Sequence, residues 1–261
     1  MSNLKAEYER DGYLILSDSI FPQETIAAAS AGMDKVRAGE YDTGAAPMTS
    51  PWNPGDSVDS LCKIEQPQVA NHAIRALISH PALGEFVAKA VGAQMVQVWW
   101  VQLLYKPPTL RPDGKNVIGW HQDKQYWGVW EEDSEVFTAW VAVSDVTARS
   151  GPMKFVTGSN HWGLQDTGEF YSQDNAALQS SYPIPPGQKW EEKAVLLPPG
   201  GLSLHHWLTI HGSEVNTSQT ARKSFAIHLR TEKSRPDKDR HEGLTRFLDD
   251  PDINPIIYGR S

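Results

Sequence analysis

The sequence predicts a mainly β domain with flanking helices, arranged as a sandwich or a barrel. Residues 1–93 have mostly helical patterns, whereas residues 94–230 contain a series of short apolar segments separated by turn residues. Strands that follow a helical lead-in are typical of one barrel or sandwich wrapped by helices. A length of 261 residues is ordinary for such a domain, and no repeat or low-complexity linker divides the chain. We therefore expect a single domain over residues 1–261.

The lead-in combines predicted helices, one strand and a long loop. The stretches that predict helices are Asn3–Arg10, Glu24–Ala38 and Pro81–Val91. A glycine follows each stretch within two residues, which is a common signal for the C-terminal end of a helix. Tyr13–Leu16 is a short apolar strand candidate. Residues 43–60 carry three prolines, which predict a lid-like loop.

The predicted barrel begins at residue 94. Its strand candidates are rich in apolar side chains and are bounded by turn residues. They are Gln94–Tyr105, Glu135–Val146, Met153–Val156, Lys193–Leu197, Leu202–Trp207 and Arg222–Leu229. The charged stretch 231–261 predicts a C-terminal helix and tail.

The composition excludes several classes of function. Lys and Arg total 24 against 32 Asp and Glu, and the net charge of -8 argues against nucleic acid or an anionic membrane surface as a partner. The single cysteine, Cys62, excludes an intrachain disulfide and a cysteine-based zinc site. No signal-type N-terminus or membrane-length apolar run is present, so we expect a cytoplasmic protein. The sequence does not indicate an oligomeric state.

The most specific local feature is the tripeptide His121-Gln122-Asp123. Residues two apart on a strand face the same side, so the imidazole and the carboxylate are expected to share one space. This pair is half of a facial triad for non-haem Fe(II), although the tripeptide alone also occurs by chance. The triad needs a second histidine. The candidates are His161, His205, His206, His211 and His228.

His211 stands out among these candidates because an arginine, Arg222, follows it at the start of the last strong predicted strand. An arginine on a neighbouring strand could clamp the far carboxylate of a co-substrate that chelates iron, since its planar fork matches a carboxylate. A facial triad leaves the other positions of an octahedral iron open for a 2-oxo acid and dioxygen.

Several motifs occur in a fixed order along the chain. They are Tyr8-Glu9-Arg10-Asp11-Gly12-Tyr13, Leu103-Leu104-Tyr105-Lys106-Pro107-Pro108, the 121–123 tripeptide, residues 139–145, Ser150-Gly151-Pro152-Met153, residues 157–161, and residues 204–222 with His211-Gly212-Ser213. With this order and spacing, the chain resembles the phytanoyl-CoA dioxygenase family of Fe(II)- and 2-oxoglutarate-dependent oxygenases from about Tyr8 to Arg230. The resemblance implies a double-stranded β-helix, a cupin-like jelly-roll barrel, over residues 94–230.

The resemblance also implies an enzyme. The expected function is hydroxylation of a C–H bond of a small organic substrate, with release of succinate and carbon dioxide. The expected cofactors are Fe(II), 2-oxoglutarate as co-substrate and dioxygen, with ascorbate as a candidate reductant. Halogenating relatives replace the ligand carboxylate with Ala or Gly, so Asp123 favours hydroxylation or a related oxidation such as desaturation. A cupin-like protein that binds a metal or ligand without oxygenase activity is the alternative.

The resemblance assigns roles to individual residues. His121, Asp123 and His211 match the iron ligands. Arg222 matches the residue that binds the distal carboxylate of 2-oxoglutarate, and Ser213 matches a hydroxyl that assists it. The other predicted co-substrate contacts are Trp140, Gln102, Gln122 and Lys63, of which Lys63 lies in a variable region.

Three further features bear on the substrate and leave its identity open. His228 shares a predicted strand face with Arg222, so it is either a cavity residue or a satisfied core histidine. The candidate substrate walls are Trp52, Trp127 and Trp130. A basic patch near the ligand pair is either an anion site or a solvated loop, and it consists of Lys106, Arg111, Lys115 and Lys124.

Overall fold

The computed structural model describes residues 4–109, 116–239 and 243–259. Its helices are α1 (Leu4–Asp11), α2 (Gln23–Ala38), α3 (His72–Ile78), α4 (Pro81–Val91) and α5 (Asn175–Ser181). Its strands are β1 (Tyr13–Leu16), β2 (Cys62–Glu65), β3 (Val96–Lys106), β4 (Ile118–His121), β5 (Val136–Ala142), β6 (Met153–Val156), β7 (Glu192–Ala194), β8 (Leu202–His206), β9 (His211–Ser213), β10 (Arg222–Thr231) and β11 (Ile256–Tyr258). Within these ranges, no helix is both long enough and apolar enough to cross a membrane.

The strands form two antiparallel sheets. The larger sheet has the order β1-β8-β5-β10-β3-β11, and β2 pairs with a separate part of β3. The smaller sheet has the order β4-β9-β6-β7. Side chains of both sheets line one central cavity, among them Leu104 and Trp140 from the larger sheet and Ile118 and His211 from the smaller. This arrangement confirms the predicted mainly β jelly roll with flanking helices.

The main hydrophobic core lies between the helices and the outer face of the larger sheet. Leu103 of β3 and Phe225 of β10 point into it and meet helix residues such as Ile74. Each apolar side chain buried in this way contributes about 1.5–3 kcal/mol. Period-two alternation places Leu104 and Ala226 on the opposite face, where they line the cavity. The helices thus support the sheet from behind and leave its inner face for a site.

The sequence patterns predict the longer elements well and miss several short ones. β1, β6 and α4 have the predicted bounds. β2 directly follows the predicted lid-like loop 43–60 and is not predicted. β4 and β9 are also missed, because Gly119 and Gly212 lie within them and glycine weakens a local strand signal. These two strands instead owe their conformation to pairing with each other.

The C-terminal helix predicted after residue 230 is wrong for the described residues. Residues 243–259 form turns and the short strand β11, which pairs with β3. Two prolines in this segment remove backbone donors that a helix needs. The buried side chain of Gln97 holds the segment instead, since its Nε2 donates to the carbonyls of Leu248 at 2.7 Å and Asn254 at 2.9 Å.

Candidate metal and co-substrate site

Two adjacent cavities lie within and at the mouth of the barrel. The inner cavity, of about 50 Å³, is lined by both sheets. The outer cavity is larger, about 450 Å³. The residues that line both cavities are Gln102, His121, Asp123, Phe170 and His228. The predicted histidine–aspartate pair therefore lies at the boundary between a narrow inner space and a wider outer one.

The three predicted iron ligands lie together at this boundary. β4 ends at His121 and β9 begins at His211, and the two residues are paired directly. Asp123 lies just beyond β4, as the first residue of a 3₁₀ turn over residues 123–126. Its Oδ1 is 3.8 Å from His121 Nε2 and 3.6 Å from His211 Nε2. One donor atom from each residue lies within 4.8 Å of the others, a spacing that could hold one metal ion.

Backbone carbonyls leave Nε2 of both histidines available as a ligand. His121 Nδ1 lies 2.7 Å from the carbonyl oxygen of Gly119, and His211 Nδ1 lies 2.9 Å from that of Thr209. A carbonyl only accepts, so each Nδ1 carries the hydrogen and each Nε2 keeps its lone pair. Burial lowers the pKa of both imidazoles, which favours the neutral form that binds metals. This donor set fits a divalent metal such as Fe(II).

The carboxylate of Asp123 is held through its other oxygen. Oδ2 accepts a hydrogen bond from Thr138 Oγ1 at 2.9 Å and lies 3.3 Å from His205 Nε2. Burial raises the pKa of this carboxyl, but the nearby His211 and the hydrogen bond from His205 outweigh burial, so the pKa lies well below its usual range. A charged carboxylate with Oδ2 fixed presents Oδ1 to the two imidazoles.

One end of the inner cavity is lined by Arg222, and a second buried basic residue, Lys106, lies beside it without lining the cavity. Arg222 opens β10 directly opposite Lys106 of β3, and both side chains are buried. The guanidinium donates to the carbonyl of Gly151 at 2.6 Å. Lys106 Nζ donates to Ser213 Oγ and to the carbonyl of Glu214, both at 2.6 Å. Neither cation forms an ion pair with any described residue, so this end of the cavity is suited to a carboxylate.

Most of the predicted site residues share the inner cavity. Trp140 lies beside Arg222, whose guanidinium carbon is 5.2 Å from the centre of the indole ring. Gln102 lies at the boundary, with its Nε2 3.4 Å from Glu65 Oε1. The predicted residues that line the inner cavity are His121, Asp123, His211, Arg222, Ser213, Trp140 and Gln102.

Two predicted co-substrate residues are not brought to the inner cavity. Gln122 is fully buried and uses its side chain on backbone groups. Its Nε2 donates to the carbonyls of Gly163 and Leu208, and its Oε1 accepts from the backbone N–H of Gln165. It therefore fixes the loops around the candidate metal ligands. Lys63 lines the outer cavity and not the inner one.

The outer cavity has aromatic walls and one ion pair. Its aromatic lining residues are Trp100, Tyr126, Trp127, Phe170 and Tyr171. Lys63 Nζ lies 3.2 Å from Glu65 Oε1 and 4.7 Å from the centre of the Phe170 ring. Trp100 Nε1 donates to Glu65 Oε2 at 2.6 Å. Thr49 and Pro51, from the predicted lid-like loop, also line this cavity.

Of the three candidate substrate-wall tryptophans, one lines the inner or the outer cavity. Trp127 lines the outer cavity. Trp52 is buried under Arg37, whose guanidinium carbon is 5.5 Å from its ring centre. Trp130 packs against Trp99 with ring centres 5.4 Å apart. The last two tryptophans are therefore packing residues.

The predicted basic patch is not one surface feature. Lys106 is buried and donates to Ser213, which lines the inner cavity. Lys124 lies 2.5 Å from a carboxylate oxygen of Glu132. Arg111 and Lys115 lie outside the described residues. Of the two described members, one is therefore internal and the other is already paired.

Several residues of the site are absent from the sequence prediction. Thr138 precedes Trp140 by two positions on β5, so the same-face rule could have found it. Glu65 lies on β2, which the sequence patterns miss. Phe170 covers the ring of His121, with ring centres 5.1 Å apart, but it lies in an irregular segment without periodicity. No sequence signal could have placed Phe170.

A comparison with known families identifies the class of protein. A sequence model of the family described as phytanoyl-CoA dioxygenase (PhyH) matches residues 8–224, most of the chain. The chain belongs to this family. Membership confirms the predicted class, an enzyme of the Fe- and 2-oxoglutarate-dependent oxygenases, and with it the predicted iron, 2-oxoglutarate and dioxygen.

Curated relatives of this family member are distant. A protein named probable alpha-ketoglutarate-dependent hypophosphite dioxygenase, from Stutzerimonas stutzeri, is 24% identical over 229 residues, which cover 85% of this chain and 75% of the relative. Phytanoyl-CoA dioxygenase domain-containing protein 1 from Bos taurus is 26% identical over 167 residues. That match covers 60% of this chain and 55% of the bovine protein, so the chain spans about half the length of this relative.

Solved structures share the fold at low sequence identity. The epimerase SnoN, in complex with Fe3+, alpha ketoglutarate and nogalamycin RO, has a TM-score of 0.71 and 22% identity, and the match covers 92% of this chain and 87% of SnoN. EctD from S. alaskensis, with 2-oxoglutarate and 5-hydroxyectoine, has a TM-score of 0.64 and 20% identity, and the match covers 91% of this chain and 78% of EctD. Both likenesses agree with the two-sheet barrel described above.

Proposed function

We propose that this oxygenase hydroxylates a C–H bond of a small organic substrate, with His121, Asp123 and His211 as the iron ligands. The observation that supports this most is that the three side chains and the cation Arg222 line the same inner cavity. A protein that only binds a ligand at its metal does not need a buried arginine in the same cavity to bind the carboxylate of a co-substrate. When bound, iron with 2-oxoglutarate and dioxygen supplies the oxidising power and releases succinate and carbon dioxide.

The chain's own residues bind and orient the co-substrate. Arg222 is proposed to bind the distal carboxylate through its planar N–H groups, because a charged fork and a carboxylate form strong paired hydrogen bonds. Ser213, held by Lys106, adds a hydroxyl at the same end. Trp140 stacks near the guanidinium and limits its movement. Together these residues fix one end of an extended diacid and direct its other end toward the ligands.

The inner cavity is proposed to hold the co-substrate, and the outer cavity is proposed to hold the substrate. Apolar side chains of Leu104, Ile118 and Met153 line the inner cavity and help to keep water out of it. The outer cavity has the size of an ordinary small-molecule site. The names of the relatives point to different small molecules, among them hypophosphite, 5-hydroxyectoine and nogalamycin. Substrate choice is therefore proposed to depend on the lining of the outer cavity.

Release of succinate is the assay for this function. Full-length protein with Fe(II) and 2-oxoglutarate is incubated in air with a panel of small organic compounds, and turnover without any compound gives the baseline. We expect at least one compound to raise succinate above that baseline, together with an equal amount of hydroxylated product. Folded, iron-loaded protein that never releases succinate, with or without a compound, would favour a cupin-like binding protein instead.

Replacement of Asp123 by alanine tests the carboxylate ligand. We expect Asp123→Ala to lose hydroxylation by more than about a hundredfold, since even a change in the surroundings of a metal ligand typically costs 10–100-fold. Product formation with a compound that passes the succinate assay is the measurement. Asp59→Ala, on the exposed part of the loop 43–60, is the matched control and keeps normal activity. Full turnover by Asp123→Ala would contradict the assignment of Asp123 as an iron ligand.

A further inference from the structure

One row of polar side chains crosses the inner face of the larger sheet beside the metal ligands. Thr138 of β5 is paired with His205 of β8 on one side and with His228 of β10 on the other. All three residues are buried. Both Thr138 and His205 contact Asp123 Oδ2, so the row connects the carboxylate ligand to His228.

The direction of the hydrogen bonds in this row is fixed by donor and acceptor chemistry. Thr138 has a single hydroxyl hydrogen, and it donates that hydrogen to Asp123 Oδ2, because a charged carboxylate can only accept. His228 Nδ1 lies 2.8 Å from the same hydroxyl oxygen. The hydroxyl has no second hydrogen to give, so Nδ1 of His228 must be the donor. A neutral His228 with a hydrogen on Nδ1 has a bare lone pair on Nε2.

His228 lies where the two cavities meet. It lines both of them, and its side chain is only 3% exposed. Nε2 has no hydrogen-bond partner among the described residues. Burial lowers the pKa of this imidazole to about 3, so the ring is neutral at ordinary pH and Nε2 is an acceptor that burial leaves unsatisfied.

We propose that His228 recognises the substrate by accepting a hydrogen bond at Nε2 from an O–H or N–H group next to the oxidised carbon. This inference rests on the proposed function, since it names the kind of substrate that the same site takes. The aromatic walls of the outer cavity favour a planar or apolar body attached to that group. Lys63 and Glu65 neutralise each other, so the lining does not demand a strongly charged substrate. The substrate class is thus a small, aromatic or otherwise apolar alcohol, phenol or amine.

The tautomer of His228 can be measured without knowledge of the substrate. Full-length protein labelled with ¹⁵N-histidine is loaded with Zn(II) as a diamagnetic substitute for iron, and long-range ¹H–¹⁵N spectra identify the protonated nitrogen of each ring. The His228 signals are assigned by their loss in His228→Phe. We expect a protonated Nδ1 and a bare Nε2. Thr138→Ser should keep this tautomer, whereas Thr138→Val should release it because the acceptor for Nδ1 is gone.

Binding of a matched pair of probes tests the acceptor itself. Phenol and anisole share a ring, but only phenol has an O–H hydrogen. We expect phenol to shift the His228 Nε2 resonance of the wild-type protein. We also expect phenol to bind about tenfold more weakly to His228→Phe than to the wild type. Anisole should not shift the resonance, and its affinity should be the same for both proteins. The control is His72→Gln, at an exposed histidine on α3, which keeps the wild-type response to both probes.

Two results would overturn the inference. One is a hydrogen on Nε2 of His228 in the folded wild-type protein. The other is an equal response of His228 to phenol and anisole. Neither measurement needs catalytic turnover, so a failure of the acceptor role is distinguishable from a failure of the hydroxylase function, which is read by succinate release.

Discussion

Lys106 and Arg222 are paired on the neighbouring strands β3 and β10, and both basic side chains are buried without an acidic partner among the described residues. Burial lowers the pKa of Arg222 to about 9, which leaves the guanidinium charged at neutral pH. Burial, and then the charge of Arg222, lower the pKa of Lys106 well below its usual value. Buried charges are costly unless they are compensated. An incoming carboxylate supplies that compensation at Arg222, which lines the inner cavity, whereas Lys106 acts there through its hydrogen bond to Ser213.

Lys106→Met should weaken the co-substrate site while leaving the metal ligands in place. Methionine fills the volume of the lysine stem but removes the hydrogen bond that orients the Ser213 hydroxyl. We expect the KM for 2-oxoglutarate to rise about tenfold, with a smaller change in kcat, in a succinate assay over a range of co-substrate concentrations. Lys89→Met, on the exposed face of α4, is the control. An unchanged KM in Lys106→Met would contradict this role.

At the residue scale, the sequence predicts the groups that do chemistry better than the groups that position them. His121, Asp123, His211 and Arg222 stand out because their residue types and spacing match a known arrangement. Thr138 does not stand out, since a threonine in an apolar strand is common. Its importance comes from lying opposite Asp123 Oδ2, a contact between distant parts of the chain that no local pattern contains.

At the element scale, the strand β4 is covered by a segment that packs directly on its backbone. Gly119 N donates to the carbonyl of Phe170 at 2.9 Å, and Glu169 N donates to that of Trp120 at 3.1 Å. The ring of Phe170 covers His121. A Cβ added at Gly119 would lie 1.9 Å from the carbonyl oxygen of Glu169, so the close approach requires glycine at this position. The segment and the metal ligand are thus fixed together.

Gly119→Ala should therefore disturb the metal site as well as the fold. Because the clash is with backbone, the segment around Phe170 must move, and we expect a loss of about 1–3 kcal/mol in unfolding free energy together with weaker metal binding. Denaturant unfolding and Zn(II) titration are the measurements. Gly187→Ala is the control: nothing lies within 4 Å of its added Cβ, but its φ of 79° adds a backbone cost of about 1–2 kcal/mol. Equal metal affinity in the two variants would refute the coupling.

Two of the strands that the sequence patterns miss carry proposed metal ligands. β4 and β9 contain His121 and His211, yet each includes a glycine and is too short to show a periodic pattern. Asp123 is also not on a strand, although alternation along one strand is the argument that pairs it with His121. The 3₁₀ turn after β4 brings its carboxylate back to the same space. The two side chains therefore share one space as expected, but strand alternation explains this only in part.

At the scale of the whole molecule, the acidic net charge says little about the site. The chain has a net charge of -8, but its inner cavity is lined by the buried arginine Arg222 and its outer cavity holds a neutral ion pair. The order of motifs along the sequence predicted one two-sheet barrel with helices behind it. The strand pairings that close the barrel, such as β4 with β9, join residues far apart in sequence and had to come from the structure.

We propose that this chain binds iron and 2-oxoglutarate together in the inner cavity. Anaerobic addition of Fe(II) and 2-oxoglutarate to the full-length protein tests it most directly, through the weak visible charge-transfer absorption of the chelated co-substrate. We expect the band to appear only when both are present. Arg222→Met should need about a hundredfold more 2-oxoglutarate to reach it, and Arg10→Met, at an exposed arginine, should not differ from wild type. No band in folded wild-type protein, or the same co-substrate dependence in Arg222→Met, would contradict the claim.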